Sequence, residues 1–316
     1  MFKSLILGAL LGSGLATAAA AQDYPTKDID LVVPFAPGGS VDVTSRLLAE
    51  SANTFLDGVE VVVSNRAGGG GVVGQSYVAR GKPDGYTVLA MTSSVVTNPQ
   101  LKGAPYAITD FKPVAAYNLD PEVIAVPANS EFKTIDDFVA ATKESPLNMV
   151  VAGIGTSHHM AGLALTSAVG LEFNYVPAKG FGEQLQAVVG GHADGAFWPM
   201  GEAMVHAEAG SVRLLAVASD ARDPKFPDVP TFEEAGLNVP IWATFRGWAV
   251  PTDTPDEIVT FLSDLLKKVS EDETYTQKMV DGGFDPIYRD AAEFQTIISS
   301  YSDLVVPIIE DNGLGQ

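Results

Sequence analysis

The stretch DIDLVVPFAPGGSVDVTSRLLAESANTF, residues 28–55, decides the fold. Its first part, Asp28 to Phe35, is rich in Ile, Leu and Val, and Pro37-Gly38-Gly39 ends it. From Val41 to Phe55 apolar residues return every three or four positions, which is typical of an amphipathic helix. A strand, a glycine turn and a helix in succession predict an α/β protein.

The same order recurs along the rest of the chain. Further strands are predicted at 59–64, 86–91, 122–127, 148–152, 195–198, 213–218 and 242–250. Helices are predicted at 72–80, from 134, at 160–169 and 184–189, and a final one at 256–269. Thr134 and Asp137 are spaced as a capping box for the helix from 134, and Thr254 and Pro255 are placed as the cap and first residue of the final helix. Strands that alternate with helices predict parallel sheets covered on both faces. Because no flexible linker separates the halves, we expect two α/β lobes joined by two crossing strands, near 114–127 and 243–250.

The N-terminus predicts export. Lys3 precedes an apolar run from Leu5 to Leu15, and alanines fill positions 18–21. This pattern is typical of a secretory signal peptide, here 1–21, and the run is shorter than the roughly 20 residues that a membrane span needs. The 316-residue chain leaves room after cleavage for two domains of roughly 100–150 residues. We assign 23–124 with 247–316 to one lobe and 125–246 to the other.

Composition excludes several classes of function. The chain has no cysteine, so disulfides, thiol catalysis and thiolate metal sites are ruled out. Its net charge of −20 repels nucleic acid and anionic lipid. Charges further than about 8 Å from a site are largely screened at physiological salt, so a small anionic ligand remains compatible with this surface.

Glycine loops precede three of the predicted helices, at 37–40, 67–71 and 153–157. Each follows an apolar strand, so in a parallel sheet all three lie at the carboxyl ends of strands, where open α/β folds bind ligands. Free N–H groups and the helix dipole make such ends anion sites without a charged side chain. The sequence therefore predicts an anion site, although a single loop of this kind is usually only a tight turn.

The sequence gives little support for an enzymatic function. Gly69-x-Gly71-x-x-Gly74 matches a dinucleotide fingerprint, but no acidic residue ends the next strand. G-x-S-x-G and H-E-x-x-H motifs are absent. His158 and His159 are adjacent and cannot form an i,i+4 metal pair. We predict no catalytic residue, no metal and no cofactor; an exported hydrolase or metalloenzyme is the rival class.

An ordered series of motifs resembles the periplasmic receptors of tripartite tricarboxylate transporters, also called Bug receptors. The series covers essentially the whole chain after the signal peptide. It comprises Tyr24-Pro25 through Pro34-Phe35-Ala36-Pro37-Gly38-Gly39-x-x-Asp42, Asn65-Arg66-x-Gly68, Pro83-Asp84-Gly85-Tyr86-Thr87, Asp110-Phe111-x-Pro113-Val114, Gly155-Thr156-x-x-His159-Met160, Gly190-Gly191-x-x-Asp194, Asp228-Val229-Pro230-Thr231-x-x-Glu234-Ala235-Gly236 and Pro251-x-x-Thr254-Pro255.

The resemblance implies a type II periplasmic-binding fold whose lobes close on a small carboxylate and deliver it to membrane subunits of the transporter. It places main-chain donors on the first glycine loop and on the G-T-x-x-H loop. The candidate ligand-binding residues are Pro37, Gly38, Gly39, Asp42, Gly68, Gly69, Gly70, Ser93, Ser94, Thr156, Ser157, His159, Lys179, Asp194 and Arg246. Helix capping is the alternative role for Asp42. We expect a periplasmic monomer that binds no nucleic acid.

Departures from the family pattern bear on the ligand. Phe245-Arg246-Gly247-Trp248 replaces the usual W-Y-G-L, and a guanidinium at 246 could pair with a second carboxylate. A di- or tricarboxylate is therefore the first candidate, with Lys179 as another cation for its far end and Asp194 as a partner for waters, a hydroxyl or an amine. The alternative ligand is an aromatic acid or an amino acid. An aromatic acid is favoured if Phe197 and Trp198 line the cleft. The alternative interpretation is that Arg246 is a surface or hinge-strand arginine with no role in binding.

Overall fold

The computed structural model of the protein describes residues 24–239 and 242–315, and the predicted signal peptide lies outside these ranges. Within them, strands and helices alternate along the chain. In order they are β1 (Ile29–Val33), α1 (Ser40–Ala52), β2 (Val61–Asn65), α2 (Val72–Ala79), β3 (Thr87–Thr92), α3 (Ser94–Lys102), β4 (Phe111–Pro127), α4 (Ile135–Glu144), β5 (Leu147–Val151), α5 (Ser157–Val169), β6 (Phe173–Pro177), α6 (Phe181–Val189), β7 (Gly195–Pro199), α7 (Met200–Glu208), β8 (Val212–Val217), β9 (Ala243–Pro251), α8 (Asp256–Ser270), α9 (Glu273–Asp281), β10 (Pro286–Arg289) and α10 (Ala291–Asp311).

The opening unit forms as its sequence predicts. Strand β1 is buried over most of its length, as expected of a central strand in a sheet covered on both faces. Gly38 lies in the left-handed region with φ of 87°, which lets the chain turn sharply into α1. The helix is shorter than expected, because Asn53–Phe55 continue it as a single 3₁₀ turn.

Two groups of strands share the long strand β4. In the first group β1 pairs in parallel with β2 and β3, and β9 joins β3 to the first half of β4 with antiparallel pairing. In the second group β5 pairs in parallel with β6 and β7, while β7 and β8 flank the second half of β4. Each group carries its own helices, so the fold has the two α/β lobes that the sequence predicts.

The chain crosses between the lobes twice. At the first crossing β4 runs straight through, pairing with β9 up to Pro121 and with β7 from Glu122. At the second, the N–H of Trp242 donates to Ala218 of the second lobe, and β9 begins at the next residue. Both crossings are extended strands, as predicted. The lobe bounds assigned from the sequence stay a prediction.

Several local signals are confirmed and others were missed. The Thr134 hydroxyl and the Asp137 carboxylate form the predicted capping box of α4. The predicted cap at Thr254 is wrong, because its hydroxyl donates to the carbonyl of Pro251 and Pro255 takes the cap position. The helix at 256–269 is not the last one, since α9 and α10 follow it.

Features of the sequence explain why α3 was not predicted and show that α10 could have been. Helix α3 contains Pro99, which obscures its pattern because an internal proline removes a hydrogen bond. Helix α10 begins with a capping box of Asp290 and Glu293, whose spacing is present in the sequence and was not predicted above. None of the helices within 24–239 and 242–315 combines the length and apolarity required to cross a membrane.

Candidate functional site

A cavity lies between the lobes, beside the two crossing strands and at the carboxyl ends of β1, β3, β5 and β7. Its free volume is about 50 Å³, several times the roughly 10–15 Å³ that one water needs. A small ligand is therefore the right scale for this closed arrangement. The lining residues are Phe35, Ala36, Gly39, Ser40, Val41, Thr92, Ser93, Ser94, Ala152, Thr156, Ser157, His158, Gly180, Phe181, Gln184, Pro199, Glu202, Thr244 and Arg246.

Within the part of the chain that the structure describes, five helices start at this cavity: α1, α3, α5, α6 and α7. Each contributes a residue of its cap or first turn to the lining. The first N–H groups of a helix have no partner within it, and the helix dipole adds positive potential there. The convergence of these ends makes the cavity favourable for negative charge without a large number of basic side chains.

The start of α5 is open. Thr156 is its cap residue, and the hydroxyl of Thr156 donates to Gly153 instead of to the cavity. In the described parts of the chain, the N–H groups of Ser157 and His158 have no hydrogen-bond acceptor. Both residues are buried and line the cavity. These amides are available to an acid group of a ligand.

The start of α1 is occupied by the protein itself. The N–H of Ser40, the first residue of α1, donates to Oε1 of Glu202 at 2.9 Å. Glu202 belongs to α7 of the other lobe, so this hydrogen bond spans the cleft. A protein carboxylate thus fills one of the helix ends that the sequence assigns to a ligand.

An ion pair forms the floor of the cavity. The guanidinium of Arg246 is fully buried, and its Nη1 donates to Asp120 Oδ2 at 2.9 Å and to Asn118 Oδ1. Its Nη2 donates to the Ser40 hydroxyl at 2.7 Å. Asp120 also accepts from the N–H of Gly201 at the start of α7. Burial raises the pKa of Asp120, and Arg246 and the Gly201 N–H oppose that rise.

A second buried carboxyl stands beside the floor. Glu122 accepts from the Thr244 hydroxyl at 2.7 Å through Oε1. Burial raises the pKa of Glu122, with the charge of a protonated His158 acting in the opposite direction. Glu122 therefore favours its neutral form more than an exposed glutamate does.

The hydrogen bonds of Gln184 show that Nδ1 of His158 is a donor. The indole N–H of Trp198 can only donate, and the Gln184 atom that accepts from it at 3.2 Å is therefore the oxygen Oε1. The same oxygen lies 3.0 Å from Nδ1 of His158, so Nδ1 carries the proton. Nε2 of His158 faces Oε2 of Glu202 at 3.7 Å, too far for a hydrogen bond.

The structure brings six of the predicted ligand-binding residues to the cavity and leaves the others away from its lining. Lining it are Gly39, Ser93, Ser94, Thr156, Ser157 and Arg246. The role expected of Arg246 differs from its geometry, because Asp120 and the Ser40 hydroxyl engage its Nη1 and Nη2. Only its Nε is left without a hydrogen-bond partner among the described residues. The Ser94 hydroxyl is likewise bound to Gln75.

Two predicted residues brace glycine loops instead of facing the cavity. Asp42 accepts from the N–H of Gly38 at 2.9 Å, and His159 accepts from the N–H of Gly155 at 3.3 Å through Nδ1. Burial disfavours the Asp42 carboxylate, but hydrogen bonds, chiefly from Arg46, outweigh it and lower the pKa of Asp42. Burial lowers the pKa of His159 to about 4. Pro37 and Gly38 are exposed on the outer side of the first loop.

The second glycine loop packs against the third. An added Cβ on Gly70 would lie 2.5 Å from Nζ of Lys102 and 3.0 Å from the carbonyl of Ile154. Lys102 donates to the Gly69 carbonyl at 2.8 Å, and Asn98 donates to that of Gly70. Gly68, Gly69 and Gly70 therefore belong to a loop that contacts the other lobe, and they do not line the cavity.

Lys179 and Asp194 lie elsewhere. The side chain of Lys179 is 92% exposed and faces Glu183. Asp194 accepts from the N–H of Asn148 at the amino ends of β5 and β7. The cavity is at the opposite ends of these five-residue strands, roughly 13 Å away at about 3.3 Å per residue.

Sequence reasoning missed Ser40, Glu202 and Gln184 as lining residues and Asp120 as the partner of Arg246. A signal existed for Asp120, because Asp120 and Arg246 place charges inside strands that are otherwise apolar, and such charges are costly unless paired. The contact between Glu202 and Ser40 joins residues 162 positions apart, and no local pattern indicates it.

The geometry bears on two rival interpretations. Phe197 and Trp198 are fully buried and do not line the cavity, whereas Phe181 does. Across 24–239 and 242–315, no three His, Asp or Glu side chains are grouped to hold a metal ion. His192 is exposed, whereas His158 and His159 are buried in α5.

Two α/β lobes with a polar cavity between them, lined by helix N-termini, define a two-lobed solute-binding protein. The sequence model of the tripartite tricarboxylate transporter family receptor matches residues 44–314. A UPF0065 protein of Cupriavidus necator is 30% identical over 328 residues, covering 98% of this chain and 96% of that protein.

Solved structures resemble the whole chain. A protein of R. palustris solved with adipate has 28% identity and a TM-score of 0.87, covering 93% of this chain and 99% of its own. MatC from Rhodopseudomonas palustris, solved with bound malate, has 27% identity and a TM-score of 0.83, covering 89% and 100%. The chain belongs to the tripartite tricarboxylate transporter family of periplasmic receptors, and the predicted fold is confirmed.

Proposed function

We propose that this receptor binds a small organic carboxylate in the inter-lobe cavity and delivers it to the membrane subunits of a tripartite tricarboxylate transporter. The observation that carries the proposal is the open start of α5, where Ser157 and His158 line the cavity and their amides have no acceptor among the described residues. The starts of α3 and α6 add positive potential to the same space.

Delivery follows from a shift between open and closed lobes. A ligand that touches both lobes stabilises the closed form, and the transporter then recognises that form. The hydrogen bond between Ser40 and Glu202, together with one from the Thr97 hydroxyl to Gly155, already joins the lobes in the closed arrangement. Ligand contacts add to this set.

The class of carboxylate has support from relatives. Two similar structures carry adipate and malate, which are both dicarboxylates, and a di- or tricarboxylate is what the sequence favours. Arg246 gives less support than expected, because Asp120 already engages its guanidinium. Lys179 gives none, since it is exposed beside Glu183.

Thermal unfolding against a panel of mono-, di- and tricarboxylates tests the proposal. A ligand at 100 times its Kd adds about 2.7 kcal/mol to the unfolding free energy, which raises Tm by several degrees. Sulfate and phosphate at matched ionic strength serve as controls for general anion effects. If no carboxylate raises Tm above these controls, the proposal is wrong.

Export is tested separately. We propose cleavage after the alanines at 18–21, so that the secreted protein begins near Gln22 or Asp23. Mass spectrometry of the periplasmic fraction should give that N-terminus. An intact Lys3 in the exported protein would contradict signal peptide cleavage.

A further inference from the structure

A buried hydrogen bond at the cavity joins the two lobes. The N–H of Ser40, at the start of α1 in the first lobe, donates to Oε1 of Glu202, in α7 of the second lobe, at 2.9 Å. Ser40 is 4% exposed and Glu202 is 8% exposed. A carboxylate at a helix N-terminus is stabilised by the free N–H group and by the helix dipole, and burial reduces the screening of that attraction. The contact therefore favours closed lobes.

In the described part of the chain, three other hydrogen bonds link the lobes outside the crossing strands, and each is either neutral or exposed. The Thr97 hydroxyl donates to the carbonyl of Gly155, a buried contact between uncharged groups. The other two lie at the surface and join Lys225 to Val280 and Asn312 to Ser167. Hydrogen bonds to charged groups are roughly twice as strong as neutral ones, so the contact at the start of α1 should contribute most to closure.

The surroundings of Glu202 within its own lobe do not depend on closure. Its Oε2 lies 3.7 Å from Nε2 of His158, which belongs to the same lobe. When the lobes part as rigid bodies, His158 and Glu202 stay together, and the hydrogen bond to Ser40 is the contact that breaks. Glu202 therefore acts between the lobes through Ser40 alone.

We propose that Glu202 is a positioning residue that closes the lobes as an internal anion, so that the receptor already populates its closed form without a ligand. A ligand then needs to hold only the open start of α5. The apparent affinity of a ligand that binds the closed form is reduced by the fraction of receptor in that form. A hydrogen bond to a charged group should raise the ratio of closed to open receptor by about 10- to 100-fold.

The width of the cleft mouth measures closure without any ligand. The chain has no cysteine, so Arg66→Cys and Lys179→Cys in the exported form accept one spin label on each lobe. Both side chains are exposed. Gly180, beside Lys179, lies against the first glycine loop, because an added Cβ there would be 3.1 Å from the Cβ of Ala36. Pulsed electron paramagnetic resonance gives the populations of short and long distances between the labels.

We expect the short distance to dominate in the free receptor, and the ratio of closed to open receptor to fall about 10- to 100-fold in Glu202→Ala. Glu202→Gln keeps an acceptor oxygen without the charge and should give an intermediate ratio. Glu144→Ala removes an exposed carboxylate at the end of α4 and is the matched control, which should behave as the wild type.

The partner of Glu202 is tested from the other lobe. Ser40→Pro removes the N–H at a position where a helix tolerates proline, and Ser40→Ala controls for the loss of the hydroxyl. Ser40→Pro should open the receptor as far as Glu202→Ala does, and the double variant should open it no further. Because Ser40→Pro and Glu202→Gln probe the same contact, they keep the test decisive if Glu202→Ala does not fold.

Three results would overturn the proposal. They are a free receptor that shows only the long distance, an unchanged ratio in folded Glu202→Ala, and a closed Ser40→Pro beside an open Glu202→Ala. Each of them leaves the carboxylate proposal standing, because the labelled receptor is measured without a ligand. If the ratios follow the expectation while no carboxylate raises Tm, closure by Glu202 stands and the proposed function is wrong.

Discussion

Helices α1 and α5 begin with the same local structure and acquire different partners. Each follows a buried strand and a glycine loop, has a serine at its first position, and uses its third residue to accept from a loop glycine. Yet the first N–H of α1 is taken by Glu202, whereas that of α5 is open to the cavity. Local sequence therefore builds the anion site, and a distant side chain decides whether a ligand can use it.

The largest effect is expected from removing the buried ion pair of Arg246 and Asp120, which lies next to the occupied start of α1. Arg246→Ala leaves Asp120 buried without its cation and removes the donor to the Ser40 hydroxyl. Removing one partner of a buried ion pair costs about 3–5 kcal/mol, which chemical denaturation would measure as a loss of unfolding free energy. Lys278→Ala breaks the exposed pair with Glu50 and should cost at most about 1 kcal/mol. Equal losses in the two variants would mean that the floor pair is not structural.

The contribution of His159 to the unfolding free energy should depend on pH. His159 lies in the first turn of α5 and accepts from the N–H of Gly155. Burial lowers the pKa of His159 from 6.5 to about 4. Below pH 6.5 the unfolded chain takes up a proton at this residue, and the folded chain does so only near pH 4. His159 therefore stabilises the fold fully above pH 6.5, and this contribution, up to about 3 kcal/mol, is lost as pH falls from 6.5 to 4.

His159→Asn isolates that contribution, because its amide oxygen can still accept from the Gly155 N–H and does not titrate. We expect the difference in unfolding free energy between wild type and variant to shift in favour of the variant between pH 6.5 and 4. A difference that stays constant over this range would contradict the burial of a neutral imidazole.

The same substitution at the two helix starts should give different results. Proline is tolerated at the first position of a helix and removes the N–H there. Ser157→Pro should weaken binding of the carboxylate ligand about 10- to 100-fold, because an N–H that meets an anionic group is worth about 1.5–3 kcal/mol. Ser40→Pro should instead lower the unfolding free energy by a similar amount, because it removes the donor to Glu202.

Alanine at the same positions provides the controls. Ser157→Ala and Ser40→Ala lose the hydroxyl and keep the N–H, so each proline variant is compared with the alanine variant at its own site. Calorimetry gives the affinity, and denaturation without ligand gives the stability. If Ser157→Pro binds as tightly as Ser157→Ala, the open amide does not hold the ligand.

How far the sequence predicts the molecule follows from the range of the interactions involved. The unit 28–55 and the capping box at Thr134 depend on neighbours within a few residues, and both were predictable. The second glycine loop looked equivalent to the first, but Gly70 packs on Ile154 and Lys102, which come from other parts of the chain. Glu202 at the start of α1 is a contact of the same long-range kind.

The smallest effect is expected from substituting Lys179 and Asp194. Both became candidates through the family resemblance, and neither lines the cavity. Lys179→Ala and Asp194→Asn should change the affinity for the carboxylate ligand less than about twofold, within the roughly 0.5 kcal/mol usual for substitutions away from buried contacts. Lys179 is exposed, and Asp194 lies at the end of β7 opposite to the cavity. Calorimetry would check both variants. A tenfold loss in either would mean that the closed cavity is not where the ligand binds, because neither side chain reaches the open start of α5 from its place in the fold.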